Sequence, residues 1–256
     1  TILQRDAARR LVDANAKLTG DNNALVAFNA FKKAYELTEK KYQKSDALNG
    51  VSQIQGHLIN IGVTKYEAGE YEKAFLSFEA ALLSHDMLKN DEKGARPSLL
   101  DEKEQLDNQV YITALAAQLA KKYDEAERYY LQSYNQGTSK PAVYEGLCNV
   151  YTEKGDEAKA DKFLKEGRSK FPKDPGLLFL EINAYLQKGK LDELISRLEQ
   201  AIQQEPTNLS LYNTLGNVYD NLHQRELKEK NEEKANEYYD KAKKSYAEAL
   251  KIDSTN

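Results

Sequence analysis

Residues 141–174 read PAVYEGLCNVYTEKGDEAKADKFLKEGRSKFPKD, and the next 34 residues, 175–208, read PGLLFLEINAYLQKGKLDELISRLEQAIQQEPTN. A proline opens each stretch, and tyrosine and glycine recur at the same places within them. Asn149, Asn183 and Asn217 also stand 34 residues apart. A chain that repeats at this length is built from stacked supersecondary units rather than around one closed core.

Within one period, the apolar residues predict two helices. The first half has apolar residues at three- and four-residue steps, as one face of a helix requires: Val143, Tyr144, Leu147, Cys148 and Tyr151. Gly155 and Asp156 then break the helix, and a second apolar stripe leads to a stop at Phe171 and Pro172. Each period is therefore predicted to be a helical hairpin.

This pattern resembles the tetratricopeptide repeat, and the resemblance covers nearly the whole chain. In residues 55–88 the motif positions are occupied by Gly62, Gly69, Tyr71, Ala74, Phe78 and Ala81. In residues 175–208 they are occupied by Leu178, Tyr185, Gly189, Leu191, Leu198, Ala201 and Pro206. The resemblance implies an all-α fold, an α-α superhelix that forms a right-handed solenoid of about six helical hairpins.

The repeats are predicted at 55–88, 107–140, 141–174, 175–208 and 209–256, preceded by a degenerate hairpin and connector over 1–54. Ala27, Phe31 and Ala34 mark the second helix of that degenerate repeat. Ser98 and Asp101 read as a helix N-cap, which predicts a helix from about Leu99 to Lys121. An insertion at about 223–236 is rich in helix formers and predicts a longer final hairpin that reverses near Asn231. It is either a solvated extension or a docking arm.

Composition excludes several classes of protein. The net charge is -4 and the pI about 5.6, so we expect no nucleic-acid partner. No run of 18 apolar residues occurs, so we expect no membrane insertion. The single cysteine rules out an internal disulfide framework and leaves the compartment open. Because the chain begins at Thr1, we expect that an upstream segment has been removed. An extracytoplasmic, for example periplasmic, location in a bacterium is favoured over the cytoplasm.

Residues that could carry chemistry are few. The sequence lacks a glycine-rich phosphate loop, an H-E-x-x-H motif and paired cysteines for zinc. His57, His85 and His223 lie in different repeats at non-equivalent positions, which does not favour a metal site. Cys148 occupies a small-residue position of a hairpin, where a buried structural thiol is expected. We therefore expect neither enzymatic activity nor a cofactor.

Charge is divided unequally between the two helices of each repeat. The first-helix segments 107–120, 141–154, 175–188 and 209–222 carry seven charged residues in 56 positions, and the second-helix segments 123–136, 157–170, 191–204 and 239–252 carry 22 in 56. In tetratricopeptide proteins the first helices line the concave surface. The resemblance therefore implies a nearly neutral groove, which captures ligands through hydrogen bonds and apolar contacts.

The resemblance also implies which residues face the groove. Amide side chains donate and accept hydrogen bonds, so they pair with a peptide backbone of any sequence, and aromatic residues anchor it. The predicted partner-binding residues are Asn149, Asn183, Asn217, Tyr111, Phe179, Asn213, Tyr66 and Thr152. The asparagines equally suit hydrogen bonds within or between hairpins.

The predicted function is a non-enzymatic scaffold that binds a peptide segment or helix of a partner protein in its concave groove. Two alternatives remain open. The first is an assembly module that self-associates or docks through terminal or convex surfaces. The second is a regulatory part of a larger protein.

Overall fold

The structure is a computed structural model that describes residues 23–91 and 96–253, and in those ranges every regular element is an α-helix. The helices are α1 (Asn23–Leu37), α2 (Lys41–Glu67), α3 (Tyr71–Lys89), α4 (Lys103–Leu119), α5 (Tyr123–Asn135), α6 (Pro141–Glu153), α7 (Glu157–Lys170), α8 (Pro175–Gln187), α9 (Leu191–Gln204), α10 (Leu209–Lys228) and α11 (Glu232–Asp253). None of these helices is long and apolar enough to cross a bilayer. The all-α fold class is as predicted.

Each of the five tight reversals between paired helices uses the same backbone motif. In the turn after α6, Gly155 has φ 75°. Its N–H donates to the Thr152 carbonyl at 3.0 Å, and the N–H of Asp156 donates to the Tyr151 carbonyl at 2.9 Å. These two bonds form a Schellman motif, which satisfies the free carbonyls at the helix end. The turn after α4 has the same bonds but places Lys121 in the left-handed region, at φ 59°.

Hairpins pack closely because glycines lie beneath aromatic rings. A Cβ atom on Gly62 would lie 2.4 Å from the ring of Phe78, and one on Gly146 would lie 2.3 Å from the ring of Tyr130. Both rings are buried, at 0% and 1% exposure. Any side chain at these glycines would overlap the ring, so the helices can approach this closely only where Cβ is absent.

The helices form two compact units. Unit 1 lies within Thr1–Pro172 and contains α1 to α7, and unit 2 lies within Lys173–Asn256 and contains α8 to α11. In unit 1, each hairpin packs its second helix against the first helix of the next, as α3 does against α4 and α5 against α6. In unit 2, α9 packs against both α8 and α10, and the core is built around Leu194, Leu198 and Leu211.

The structure corrects two predicted boundaries in unit 1. The helix predicted from Leu99 begins instead at Lys103 and ends at Leu119. The N–H of Ser98 does donate to Asp101 Oδ2, at 2.9 Å, but these residues close a turn before the helix rather than cap it. Within residues 1–54, predicted as a degenerate hairpin and connector, residues 41–54 form the first half of the 27-residue helix α2. The degenerate repeat is represented by α1, while residues 1–22 lie outside the described ranges.

The final hairpin is long. Helix α10 continues to Lys228, α11 begins at Glu232, and the chain reverses at residues 229–231. The inserted segment packs on itself, because Glu226 is buried and accepts a hydrogen bond from Asn231 Nδ2 at 3.1 Å. His223 Nδ1 lies 2.7 Å from the Ala235 carbonyl oxygen across the hairpin. These contacts explain how two additional helical turns are held without a neighbouring repeat.

Candidate functional site

The first helices of unit 1 present one row of side chains each. On α6, Glu145, Asn149 and Thr152 follow one another at steps of four and three residues, so they share a helix face. On α4, Tyr111 precedes Glu145 by 34 residues and occupies the equivalent place. Helices α4 and α6 are in contact, so the two rows lie side by side. We call these rows, together with Tyr66 of α2, the unit 1 face.

Tyr130 supports the unit 1 face from behind. Its ring lies 6.3 Å from that of Tyr111, centroid to centroid, and its hydroxyl donates to Gln118 Oε1 at 2.8 Å. Burial raises the pKa of Tyr130 well above its ordinary value, and the nearby Tyr111, Tyr66 and Glu145 raise it further. The buried phenol therefore stays protonated, and it holds Tyr111 and Gln118 in place from α5.

Tyr66 and Tyr111 are only partly buried, so their rings remain accessible on the unit 1 face. Burial raises the pKa of Tyr111, and the charge of Glu145 and the phenol of Tyr66 add to the shift. Burial and then Tyr71 raise the pKa of Tyr66. The ring of Tyr71 packs edge-on against Tyr66, with centroids 5.5 Å apart. Of the predicted residues, the structure thus brings Tyr66 and Tyr111 within electrostatic reach of each other.

Asn149 and Thr152 differ in how their polar atoms are used. The Thr152 hydroxyl donates to the carbonyl oxygen of Cys148 at 2.9 Å, so it bonds within its own helix. Asn149 is partly exposed, and its amide makes no hydrogen bond with any residue that the structure describes. Of the two, Asn149 therefore has the greater capacity to bond to a ligand.

The remaining predicted residues lie in unit 2. Phe179 of α8 is 62% exposed, Asn183 is partly exposed on the same helix, and Asn213 of α10 is exposed. Asn217 is different, because its Oδ1 lies 2.7 Å from the Tyr246 hydroxyl of α11. The same hydroxyl lies 2.9 Å from Asp220 Oδ2. Asn217 thus bonds within its own hairpin, which is the structural role that the sequence left open.

Some charges on the second helices link neighbouring elements. Lys154, the residue after α6, forms ion pairs with Asp124, at 2.6 Å, and with Glu127 of α5. The Tyr151 hydroxyl donates to Glu127 Oε1 at 2.7 Å. Burial by itself would raise the pKa of Glu127, but the hydrogen bonds from Lys154 and Tyr151 outweigh it and the pKa is lowered. This network joins two successive hairpins of unit 1.

Alkaline pH should destabilise the fold through its tyrosines. Burial, and then the hydrogen bond to Glu127, raise the pKa of Tyr151 to about 12 from 10.0. Because the folded pKa is raised, the stabilisation is complete below pH 10 and is lost as the pH rises towards 12. We expect the urea midpoint to fall across this window, in parallel with tyrosinate absorbance. The Tyr151→Phe variant should lose part of this dependence. Titration of all 17 tyrosines near pH 10 in a folded chain would contradict the prediction.

Ser98, His85 and Asp101 meet in unit 1, a combination that in hydrolases forms a catalytic triad. Here His85 Nδ1 lies 2.9 Å from Ser98 Oγ and 3.8 Å from Asp101 Oδ1, so serine and carboxylate share one ring nitrogen. A triad needs them on opposite nitrogens. Both Ser98 and His85 are buried, and burial lowers the pKa of His85. The cluster fastens the segment before α4 to the preceding hairpin.

One feature of these sites was missed from the sequence. Gln55 is fully buried and bonds to the backbone of Ala81 and Leu99, which no local pattern indicates. Cys148 is buried at 6% exposure, as expected. Among the described residues, no group of three histidine, cysteine or acidic side chains is placed to hold a metal.

Comparisons with known proteins support a fold built from helical hairpins. A family model described as TPR repeat matches residues 183–222. No curated protein sequence matches the chain. Among solved structures, the MamA protein is similar with a TM-score of 0.50, at 14% identity over 78% of this chain and 92% of that one. BtubC from P. vanneervenii has a TM-score of 0.49, at 15% identity over 88% and 91%.

YrrB, described as a TPR protein with an unusual peptide-binding site, has a TM-score of 0.45, at 19% identity over 89% of this chain and all of YrrB. At these identities the likeness concerns the fold alone. The family model covers residues 183–222, and the likeness to MamA covers 78% of this chain. Residues 183–222 therefore match the tetratricopeptide-repeat family, and the fold of the described residues is an all-α array of helical hairpins.

Proposed function

We propose that this protein is a non-enzymatic scaffold that binds a peptide segment or helix of a partner protein on the faces of its first helices. The observation that carries the proposal is the pairing of accessible aromatic rings with accessible amides on those faces. Tyr111 accompanies Asn149 in unit 1, and Phe179 accompanies Asn183 in unit 2. Aromatic anchors with adjacent hydrogen-bonding groups are typical of protein interfaces.

Asn149 and Asn183 support the proposal because neither amide bonds to a described residue. Each amide can donate to and accept from a peptide backbone without reading its side chains. The first helices carry few charged residues. Few ion pairs would therefore compete with hydrogen bonds in orienting a bound peptide. Asn217 is less available for this role, because its side-chain oxygen accepts a hydrogen bond from the Tyr246 hydroxyl.

A random-peptide phage library selected on the immobilised chain tests the proposal. We expect each selected peptide to bind the wild type and to lose about 2- to 10-fold in affinity with either Asn149→Ala or Asn183→Ala, according to the unit that it contacts, since a lost bond costs about 0.5–1.5 kcal/mol. Asn135→Ala with Asn236→Ala is the matched control, because these asparagines are exposed on second helices, one in each unit. An equal loss in the control variant, or no selected peptide, would refute the proposal.

A second function, self-association, is favoured by one observation. Helix α11 exposes two large hydrophobic residues, Tyr239 at 51% and Leu250 at 68%. Exposed apolar side chains of this size are typical of surfaces that another protein covers. Light scattering over a range of concentrations separates the two functions, since peptide capture alone requires only a monomer.

A further inference from the structure

Residues 98–102 form a short strap that precedes α4 and is attached to two other helices of unit 1 by buried polar side chains. Gln55 Nε2 of α2 donates to Ser98 Oγ at 2.9 Å, and His85 Nδ1 of α3 lies 2.9 Å from the same oxygen. Within the strap, the N–H of Leu100 also donates to Ser98 Oγ, at 3.1 Å. Three polar groups therefore converge on one hydroxyl.

The hydrogen-bonding capacity of this hydroxyl fixes the protonation state of His85. A hydroxyl accepts two hydrogen bonds and donates one. Gln55 Nε2 and the Leu100 N–H are donors, so they occupy both accepting positions of Ser98 Oγ. Gln55 Oε1 lies further from the hydroxyl, at 3.2 Å, and already accepts from the Leu99 N–H at 2.8 Å. The hydroxyl proton therefore goes to His85 Nδ1, and the imidazole is neutral with its hydrogen on Nε2.

A protonated His85 does not fit this arrangement. An imidazolium is a donor at both ring nitrogens, so its Nδ1–H would face a hydroxyl oxygen that has no accepting position left. The ring is also only 4% exposed, which leaves a positive charge poorly solvated. Opening of the strap would relieve both costs, because it separates Ser98 from the ring and admits water.

The charged groups around the ring compensate only in part. Burial is the largest influence, and it lowers the pKa of His85; Asp86 raises the pKa and Lys89 lowers it, both from α3. From the strap, Asp101 Oδ1 lies 3.8 Å from Nδ1, which is beyond hydrogen-bond distance, and its side chain is 47% exposed. From α2, the group that reaches Ser98 is the neutral amide of Gln55.

We propose that the strap is an acid-sensitive latch, in which protonation of His85 breaks its hydrogen bond to Ser98 and releases residues 98–102 from α2 and α3. The pKa of His85 is lowered while the latch is closed. The latch is therefore fully formed above the ordinary histidine pKa of about 6.5, and it is lost as the pH falls below that value.

Release of the strap would alter one edge of the unit 1 face. Leu99 is 55% exposed, and its Cδ1 lies 3.2 Å from the place that a Cβ on Gly56 would take. Gly56, Val63 and Tyr66 follow one another at steps of seven and three residues, so they share one face of α2. The closed latch thus adds an apolar side chain to the row that contains Tyr66, and acid removes it.

Hydrogen exchange at the amides of Leu99 and Leu100 in the whole chain tests the latch, because Gln55 and Ser98 accept from these two N–H groups. Between about pH 7.5 and about pH 5, after correction for intrinsic exchange rates, we expect their protection to fall about 2- to 10-fold, which corresponds to the loss of one net hydrogen bond. The amide of Leu147 in α6 is the internal reference, since this residue is fully buried. Unchanged protection at Leu99 and Leu100 would overturn the proposal.

His85→Asn removes the titrating ring and retains an acceptor, the amide oxygen, that can replace Nδ1. Protection at Leu99 and Leu100 should then be the same at both pH values. His57→Asn is the matched control, because His57 is exposed on α2, and it should keep the pH dependence of the wild type. A pH dependence that persists in His85→Asn would assign the effect to another group and overturn the latch.

The nitrogen chemical shifts of the His85 ring give a second test that needs no variant. At neutral pH they should report an imidazole with its hydrogen on Nε2. A hydrogen on Nδ1 would mean that the ring donates to Ser98, and the proposed mechanism of release would be wrong.

Discussion

Replacing Tyr130 by alanine is expected to lower the free energy of unfolding by about 3–5 kcal/mol, the cost of removing a large aromatic side chain from a core. The ring is 1% exposed and fills the space between α5 and Gly146 of α6. Its hydroxyl bond to Gln118 is lost as well. Urea unfolding followed by circular dichroism measures the change.

A second substitution makes this prediction specific to the Gly146 contact. Gly146→Leu should destabilise the wild type, because its Cβ would lie 2.3 Å from the Tyr130 ring. In the Tyr130→Ala background the same leucine occupies the vacated space, so the double variant should be more stable than the sum of the two losses predicts. Strictly additive losses would mean that the two residues do not share one packing site.

Replacing Gln55 by methionine is expected to cost about 2–4 kcal/mol, although the side chains are similar in size. Gln55 is fully buried. Its Nε2 donates to the Ala81 carbonyl at 3.1 Å, and its Oε1 accepts from the Leu99 N–H at 2.8 Å. Methionine can make neither hydrogen bond, so the part-buried Leu99 N–H loses its acceptor and the segment before α4 loses its bonds to Gln55. Urea unfolding gives the loss, and faster hydrogen exchange at Leu99 locates it.

Gln53→Met is the matched control for Gln55→Met, since Gln53 is exposed on the same helix. Its effect should stay within about 0.5 kcal/mol, as is usual for surface positions. If Gln55→Met were equally mild, the segment before α4 would be held by Arg96 instead, which donates to Ser45 and Asn49 of α2 at 2.5 Å. Comparable hydrogen exchange at Leu99 in both variants would point the same way.

The repeat allowed much of the fold to be predicted, because each hairpin depends on contacts between residues close in sequence. The turn at Gly155 and the long final hairpin follow from local rules of helix formation and termination. The start of α4 could not be predicted this way. Ser98 has the spacing of an N-cap, but the buried side chains of Gln55 and His85 hold it in a turn. Those partners lie 43 and 13 residues away in the sequence.

The candidate site was only partly predictable, for the same reason. The 34-residue period places Asn149, Asn183 and Asn217 at equivalent positions, and it cannot distinguish them. Their differences come from neighbours on other helices. The Tyr246 hydroxyl of α11 donates to the side-chain oxygen of Asn217, whereas no described residue bonds to the amides of the other two.

The sequence by itself determined that the chain is an all-α array of helical hairpins, because helix periodicity, turn residues and repeat length are properties of short stretches. Tertiary structure alone decided which polar groups form hydrogen bonds within the protein and which remain accessible to a partner. The hydrogen bond from Tyr246 to Asn217 exists only because separate helices pack together, and the same holds for the placement of Tyr111 beside Glu145. The sequence of a single helix does not determine the distances between packed helices.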